Sequence, residues 1–244
     1  MRVNRAGRSP PGLDLKPMYG YCAWQAAARM GARPGDHRPR RNPIVANLPP
    51  PLTLLLLVLT VATSIAGWKS RGAVGDFAEC PYEIMRHGRW YQLITSAFLH
   101  ADLGHLFLNM MTLYFFGPLV EHALPGWRYL ALYLGSTLAG SVWTLLAHHR
   151  EPNYRALGAS GAISGVVFSF VLFQPLAKIY IFLIPIGIPA FLYAIAYVLF
   201  SIFGMRRQLG RIGHEAHLGG ALGGLLLTLL LRPDSLGIFL SHFQ

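Results

Sequence analysis

The sequence predicts an all-α polytopic membrane protein: a bundle of six spanning helices with a long half-inserted loop after the first. Three observations carry this expectation. Hydrophobic residues make up 53% of the 244 positions and charged residues only 13%, outside the usual range of a water-soluble domain. Six apolar runs approach the ~20 residues that a helix needs to cross the hydrocarbon core. The polar residues with chemical potential inside those runs lie in the first turns of the second, fourth and sixth.

Residues 1–47 read as a basic, disordered cytoplasmic tail, residues 48–232 as the six-helix domain, and residues 233–244 as a short C-terminal tail. Nine of the 21 Lys and Arg fall between Arg2 and Arg41. A net charge of +11 would otherwise suggest nucleic acid, but charge placed ahead of a first span acts as a retention signal under the positive-inside rule, so no nucleic-acid partner is expected. The first apolar run begins only after residue 47, too late for a cleavable secretory signal. The acid-poor, Arg-rich tail is equally compatible with an organellar transit peptide, or with sequence upstream of a later start at Met18 or Met30. Cys22 and Cys80 fall on opposite sides of the membrane, so no disulfide is expected.

The six runs are Leu52 to Trp68, Leu103 to Val120, Tyr129 to Ala147, Ala156 to Phe173, Ile179 to Phe203 and Ala216 to Leu231. Pro49, Pro50 and Pro51 suit the entrance of the first, because proline lacks the amide hydrogen that would be unpaired there. Pro185 and Pro189 predict a kink in the fifth. The fourth and sixth are short and carry their glycines and polar residues at the front, as helices do that begin below the membrane surface among protein. Between the first two runs, Lys69 to Asp102 is far longer than an ordinary connection. With Trp68, Tyr82, Trp90 and Tyr91 in or beside it, it reads as a folded interfacial loop. With the tail inside, the inner face collects 12 basic residues and the outer face nine; without the tail the count is three against nine. The tail or the fold itself must therefore set the orientation.

His105 and Asn109 in the second run, Ser160 in the fourth and His217 in the sixth all lie at one end of the bundle, roughly 5 to 12 Å from their helix starts at 1.5 Å per residue. Flipping the chain moves them together. His105 and Asn109, four residues apart, share a helix face and can donate toward a common point, as an oxyanion requires. Gly158, Gly161 and Gly165 near Ser160, with Gly220 and Gly224 beyond His217, permit the close helix contact that small residues give in lipid. That contact would bring the Ser160 hydroxyl to the His217 ring. Glu215 points elsewhere on its helix and the fourth run has no carboxylate, so the simplest arrangement is a Ser-His dyad.

Each residue also has a plainer reading. Serine is common at helix contacts, and Ser164 is a rival that reads as packing. Buried histidine and asparagine are costly in lipid, so for them function is the default. His214 with His217, or His100 with His105, could ligate a metal, but neither spacing makes a complete set; no metal or cofactor is expected. His148 and His149 end the third run, where solvated histidines are unremarkable.

With these residues in view, the chain resembles the rhomboid family of intramembrane serine proteases over about residues 48 to 232. His100-Ala101-Asp102-Leu103-Gly104-His105-Leu106-Phe107-Leu108-Asn109 is similar to its second-helix motif, Gly158-Ala159-Ser160-Gly161 to its nucleophile motif, and His217 with Gly220 and Gly224 to its sixth-helix motif. Gly117-Pro118-Leu119-Val120-Glu121 resembles its exit from the second helix. The resemblance implies a rhomboid-like six-helix core, Ser160 as nucleophile and His217 as general base. It implies an oxyanion hole of His105, Asn109 and the Ser160 amide. It further implies cleavage of transmembrane segments of single-pass or multi-pass proteins near the outer face, in contact with membrane lipid. The corresponding location is a bacterial plasma membrane with a cytoplasmic N-terminus. One departure is visible: Trp90-Tyr91-Gln92 stands where the family often has Trp-Arg before Leu-Ile-Thr, which puts the anchoring of the first loop in question. A catalytically silent binder of transmembrane segments is the alternative; loss of Ser160 or His217 would mark it, and both are present. The loop Gly204 to Gly213, beside His217, is a candidate lid.

Overall fold

A computed structural model describes residues 48–70, 72–180, 186–207 and 213–244. The basic tail with Cys22, Pro185 of the expected kink, and residues 208–212 of the candidate lid lie outside them. The elements in order are α1 (Pro51–Lys69), α2 (Ala73–Phe77), α3 (Pro81–His87), α4 (Gln92–Thr95), a 3₁₀ turn (Ser96–Phe98), α5 (Leu103–Ala123), α6 (Trp127–His148), α7 (Ser160–Phe173), a hairpin of β1 (Lys178–Tyr180) and β2 (Gly187–Pro189), α8 (Ala190–Arg207), α9 (His214–Leu231) and α10 (Ser235–Ser241).

Among the described residues five helices are long and apolar enough to cross a membrane: α1, α5, α6, α8 and α9. Their outward faces are apolar. On α6 the exposed Leu134, Leu138, Val142 and Leu146 recur every fourth residue, and on α9 Leu222, Leu226 and Leu230 do the same. The inward face of α6 mixes large residues at its ends, Tyr129, Leu132, Tyr133 and Leu145, with a small and polar middle, Ser136, Thr137, Gly140, Ser141 and Thr144. That combination suits a membrane, because hydrocarbon receives the outward leucines at no cost while close helix packing in lipid is helped by small residues.

The fourth run differs from its expected extent. It is helical only over Ser160–Phe173, 14 residues, about 21 Å against a hydrocarbon core of roughly 30 Å. Every residue from Gly161 to Phe173 is buried, so α7 is the central post of the bundle, with α5, α6 and α9 packed around it. Ala156, expected as its first residue, instead pairs with Glu79: each amide donates to the other residue's carbonyl at 2.9 Å. Contacts across α7 are backbone to backbone. A Cβ on Gly220 would overlap the backbone of Gly161, and one on Gly224 the backbone of Gly165.

The fifth run is corrected more deeply. Residues expected as its first turns form the antiparallel hairpin, Lys178 facing Pro189 and Tyr180 facing Gly187. Pro189 has no amide hydrogen to donate into a preceding helical turn, and the pairing accommodates Gly187, where a Cβ would lie 2.9 Å from that of Lys178. At Pro189 a strand end stands where the kink was expected, and α8 starts only at Ala190.

Glu121 closes the far end of α5 onto α1. Its carboxylate accepts from the amides of Leu52 (3.0 Å) and Thr53 (2.7 Å) and from the Thr53 hydroxyl (2.7 Å), an acid at a helix N-terminus where free amides favour negative charge. Within the short C-terminal tail, α10 packs on α7, and Phe243 meets Phe191 of α8 at 5.5 Å.

The loop after α1 is folded, as its length and aromatics predicted. Gln92, fully buried, anchors it: Oε1 accepts from the Cys80 amide at 3.1 Å and Nε2 donates to the Asp76 carbonyl at 3.0 Å. Thr95 donates to the Phe77 carbonyl at 2.9 Å. The departure at Gln92 thus leaves the loop tied by one amide that serves both as donor and as acceptor. Phe77, Met85, Trp90 and Tyr91 stay on the loop's exposed surface, side chains suited to a lipid interface.

Candidate active site

Asp102 begins the site by capping α5, its Oδ1 accepting from the His105 amide at 2.8 Å. That cap starts the helix two residues before His105, holding this histidine in the first turn. Gly158 then turns the chain into α7 with φ +123°, a conformation that favours glycine. Glycine is needed twice over, since a Cβ there would come 2.6 Å from His105 Cε1. Ser160 follows as the first residue of α7. It lies at the helix start rather than a turn inside, so its amide is among the donors that the helix leaves without intrahelical partners. His217 is the fourth residue of α9, carried there by the glycine contacts of α9 with α7 and α6.

Ser160, His217 and His105, all half-buried, line one cavity of about 890 Å³. Gly158 and Gly161 are also in its wall, whereas Gly220 and Gly224 lie behind it as helix contacts. Asn109 is not part of the wall. It is buried one turn deeper, and its Nδ2 donates to the His105 carbonyl at 3.0 Å, so the shared helix face does not translate into a shared direction. Ser164, the rival serine, donates to the Ser160 carbonyl at 2.7 Å and meets the Tyr197 hydroxyl at 2.6 Å.

His100 has a structural role. Its Nε2 accepts from the Ala159 amide at 3.3 Å and its Nδ1 meets the Ser64 hydroxyl at 2.9 Å, so both ring nitrogens are used inside the protein. Burial, and then the nearby His105, push this imidazole down to about 4. It stays neutral and ties α1 to the turn before Ser160. His148 is likewise not an ordinary solvated histidine: its ring stacks on Tyr154 (3.8 Å, 7°), Nδ1 contacts Glu151 at 2.9 Å, and Nε2 lies 3.8 Å from Glu215.

Two groups at this site escape sequence reasoning. Glu79, 2% exposed, lines the cavity from the first loop with Oε1 unpartnered. Burial pushes its carboxyl up to about 8, against a hydrogen bond from Ser141 that lowers it. No local pattern singles it out among loop acids, because its burial comes from pairing with Ala156. Tyr197, in the middle of α8, has its ring 6.2 Å from that of His217 at 26°. In sequence it is one aromatic among several in an apolar run.

A serine and two histidines line this cavity, in a bundle with five candidate membrane spans among the described residues, and the fold is that of a multi-pass membrane protein with a polar cavity at one end of its helices. A family model described as the Rhomboid domain matches residues 87–234, and the chain belongs to the rhomboid family. It is similar to RHOMBOID-like protein 12, mitochondrial, of Arabidopsis thaliana, 36% identical over 152 residues, 56% of this chain and 45% of that protein. Rhomboid protein 1, mitochondrial, of Saccharomyces cerevisiae is 36% identical over 138 residues, 55% of this chain and 40% of that protein. The putative rhomboid protease YdcA of Bacillus subtilis is 36% identical over 145 residues, 59% of this chain and 68% of that protein. The match thus spans less than half the length of the two mitochondrial relatives.

Proposed function

We propose that the protein is an intramembrane serine endopeptidase that cuts transmembrane segments of other membrane proteins near the outer face, using Ser160 and His217 as a dyad. The observation that carries this reading is that Ser160, His217 and His105, from three separate helices, line one cavity. Names of relatives support it: one is the putative rhomboid protease YdcA and another the rhomboid protease GluP of Bacillus subtilis.

In the proposed reaction His217 takes the Ser160 proton as Oγ bonds to the scissile carbonyl carbon. The oxyanion is met by the Ser160 amide at the α7 terminus and by His105. Asn109 joins them once its amide leaves the His105 carbonyl. The C–N bond then breaks, the leaving amine takes the proton from His217, and water, deprotonated by His217, releases the acyl group and restores Ser160. No metal or cofactor is needed. Substrate segments that unwind readily are favoured, because a helical peptide carbonyl is already hydrogen-bonded and shielded.

The test uses wild type, Ser160→Ala and His217→Ala in detergent with a transmembrane reporter. Cleavage by wild type and its loss in both variants is expected; undiminished cleavage by Ser160→Ala would sink the dyad, and no cleavage by any form would favour the silent binder.

A further inference from the structure

We infer that Tyr197 of α8 is a positioning residue for the dyad: its ring holds the His217 imidazole in plane, and its hydroxyl ties that ring, through Ser164, to the Ser160 peptide. This rests on the dyad reading of the same cavity.

A Ser-His dyad has an orientation problem that a triad does not. In a triad the buried acid grips the second ring nitrogen and fixes the imidazole's rotation. Among the described residues the His217 ring has no hydrogen bond to a carboxylate, and Glu215 is 3.8 Å from His148 instead. What lies against His217 is aromatic. Tyr197 is near-parallel to it, with ring centroids 6.2 Å apart and planes at 26°, while His214 meets it edge-on at 6.5 Å and 74°. A face on one side and an edge on another restrict rotation about the bond to the ring, the freedom an acid would remove in a triad.

The hydroxyl completes the device, and a proton count fixes its direction. Ser164 has one hydroxyl proton, and the Ser160 carbonyl, 2.7 Å away, can only accept it. The 2.6 Å contact between Ser164 and Tyr197 must then be the Tyr197 hydroxyl donating to Ser164 Oγ. One side chain from α8 therefore touches the base's ring and, through one serine, the peptide of the nucleophile. Phe168 of α7, at 5.6 Å and 62°, backs the tyrosine. α8 buries few residues of its own, Ala190, Ser201 and Gly204; Gly204 and Met205 reach the cavity wall, and Tyr197 is the aromatic of this helix set against His217.

The experiment measures the rate of Ser160 labelling by a small fluorophosphonate, together with kcat and KM on the reporter and the unfolding midpoint, for wild type, Ser160→Ala, Tyr197→Phe and Tyr197→Leu. The small probe needs the base but no docked substrate helix. With displacement of a catalytic group by ~1 Å costing up to about a hundredfold, the expected order is wild type, then Tyr197→Phe, then Tyr197→Leu slower by about tenfold or more. The loss should lie in kcat with KM within twofold. Should Tyr197→Leu fail to fold, Tyr197→Phe decides: slower labelling at an unchanged midpoint supports the proposal and a wild-type rate overturns it. A folded Tyr197→Leu labelling at the wild-type rate overturns the proposal and leaves the dyad standing. Absence of Ser160-dependent labelling in wild type removes both.

Discussion

Gly140 lies on α6, carries no chemistry and is distant in sequence from Ser160 and His217, yet alanine there should disable the protein. A Cβ on Gly140 would sit 2.6 Å from the Ala216 carbonyl oxygen, with the Ala216 carbonyl carbon at 3.3 Å. The obstacle is backbone, which has no rotamer to escape into. Restoring an ordinary 3.4 Å approach requires α6 and α9 to part by roughly 0.8 Å, and His217, the next residue, moves with Ala216. A misplacement near 1 Å costs on the order of a hundredfold in rate, so Gly140→Ala should lower kcat by about 10- to 100-fold. Overpacking costs about 1–3 kcal/mol and is partly offset by the ~1 kcal/mol that alanine gains over glycine in a helix, so the unfolding midpoint should fall by only a few degrees. Gly237 in α10 has nothing within 4 Å of its Cβ position, and Gly237→Ala serves as the control with unchanged kcat. Reporter cleavage under saturating substrate, with thermal unfolding in the same detergent, decides the matter. Cleavage by Gly140→Ala within twofold of wild type would refute the reasoning.

Glu79 gives a pH signature. Its folded carboxyl holds a proton to about 8 against an ordinary 4.5, so between those values the unfolded chain releases a proton that the folded chain keeps, and stability falls as pH rises. Glu79→Gln should remove that slope, matching wild type near pH 4 and exceeding it by about 3 kcal/mol at pH 7; parallel unfolding curves for the two proteins across this window would count against the buried neutral acid. Glu121→Ala should strip the amides of Leu52 and Thr53 and the Thr53 hydroxyl of their acceptor, lowering stability by about 2–4 kcal/mol. Accelerated hydrogen exchange at the start of α1 should accompany it; native-like protection there would contradict the capping role.

The spans were legible because lipid imposes a length and a composition on any helix that crosses it, and five of the six runs contain long apolar helices, four of them within a few residues of both expected ends. The two misjudged starts share a cause. Ala156 to Ala159 and Ile179 to Pro189 are apolar enough to read as helix, but hydrophobicity does not record where backbone hydrogen bonds go. Ala156 is paired with Glu79 from the first loop, and residues 178 to 180 with 187 to 189 across the hairpin. Ser160, His217 and His105 were legible as a set because three polar side chains occur in first turns of helices that enter from one side. Glu79, His100 and Tyr197 were not, since each owes its place to a partner more than 15 residues away.

By itself the sequence determined the membrane class and the family and singled out one candidate serine and its candidate histidines, since burial of polar groups in hydrocarbon is so costly that those retained stand out. Directions and neighbours were decided only by the tertiary structure. Asn109 shares a face with His105 yet bonds to its carbonyl, Ser160 heads its helix because Gly158 adopts φ +123°, and an aromatic ring from α8 lies on His217. Periodicity specifies the face of a helix on which a residue stands. The separation and rotation of neighbouring helices, set here by glycine contacts between backbones, specify what that face meets.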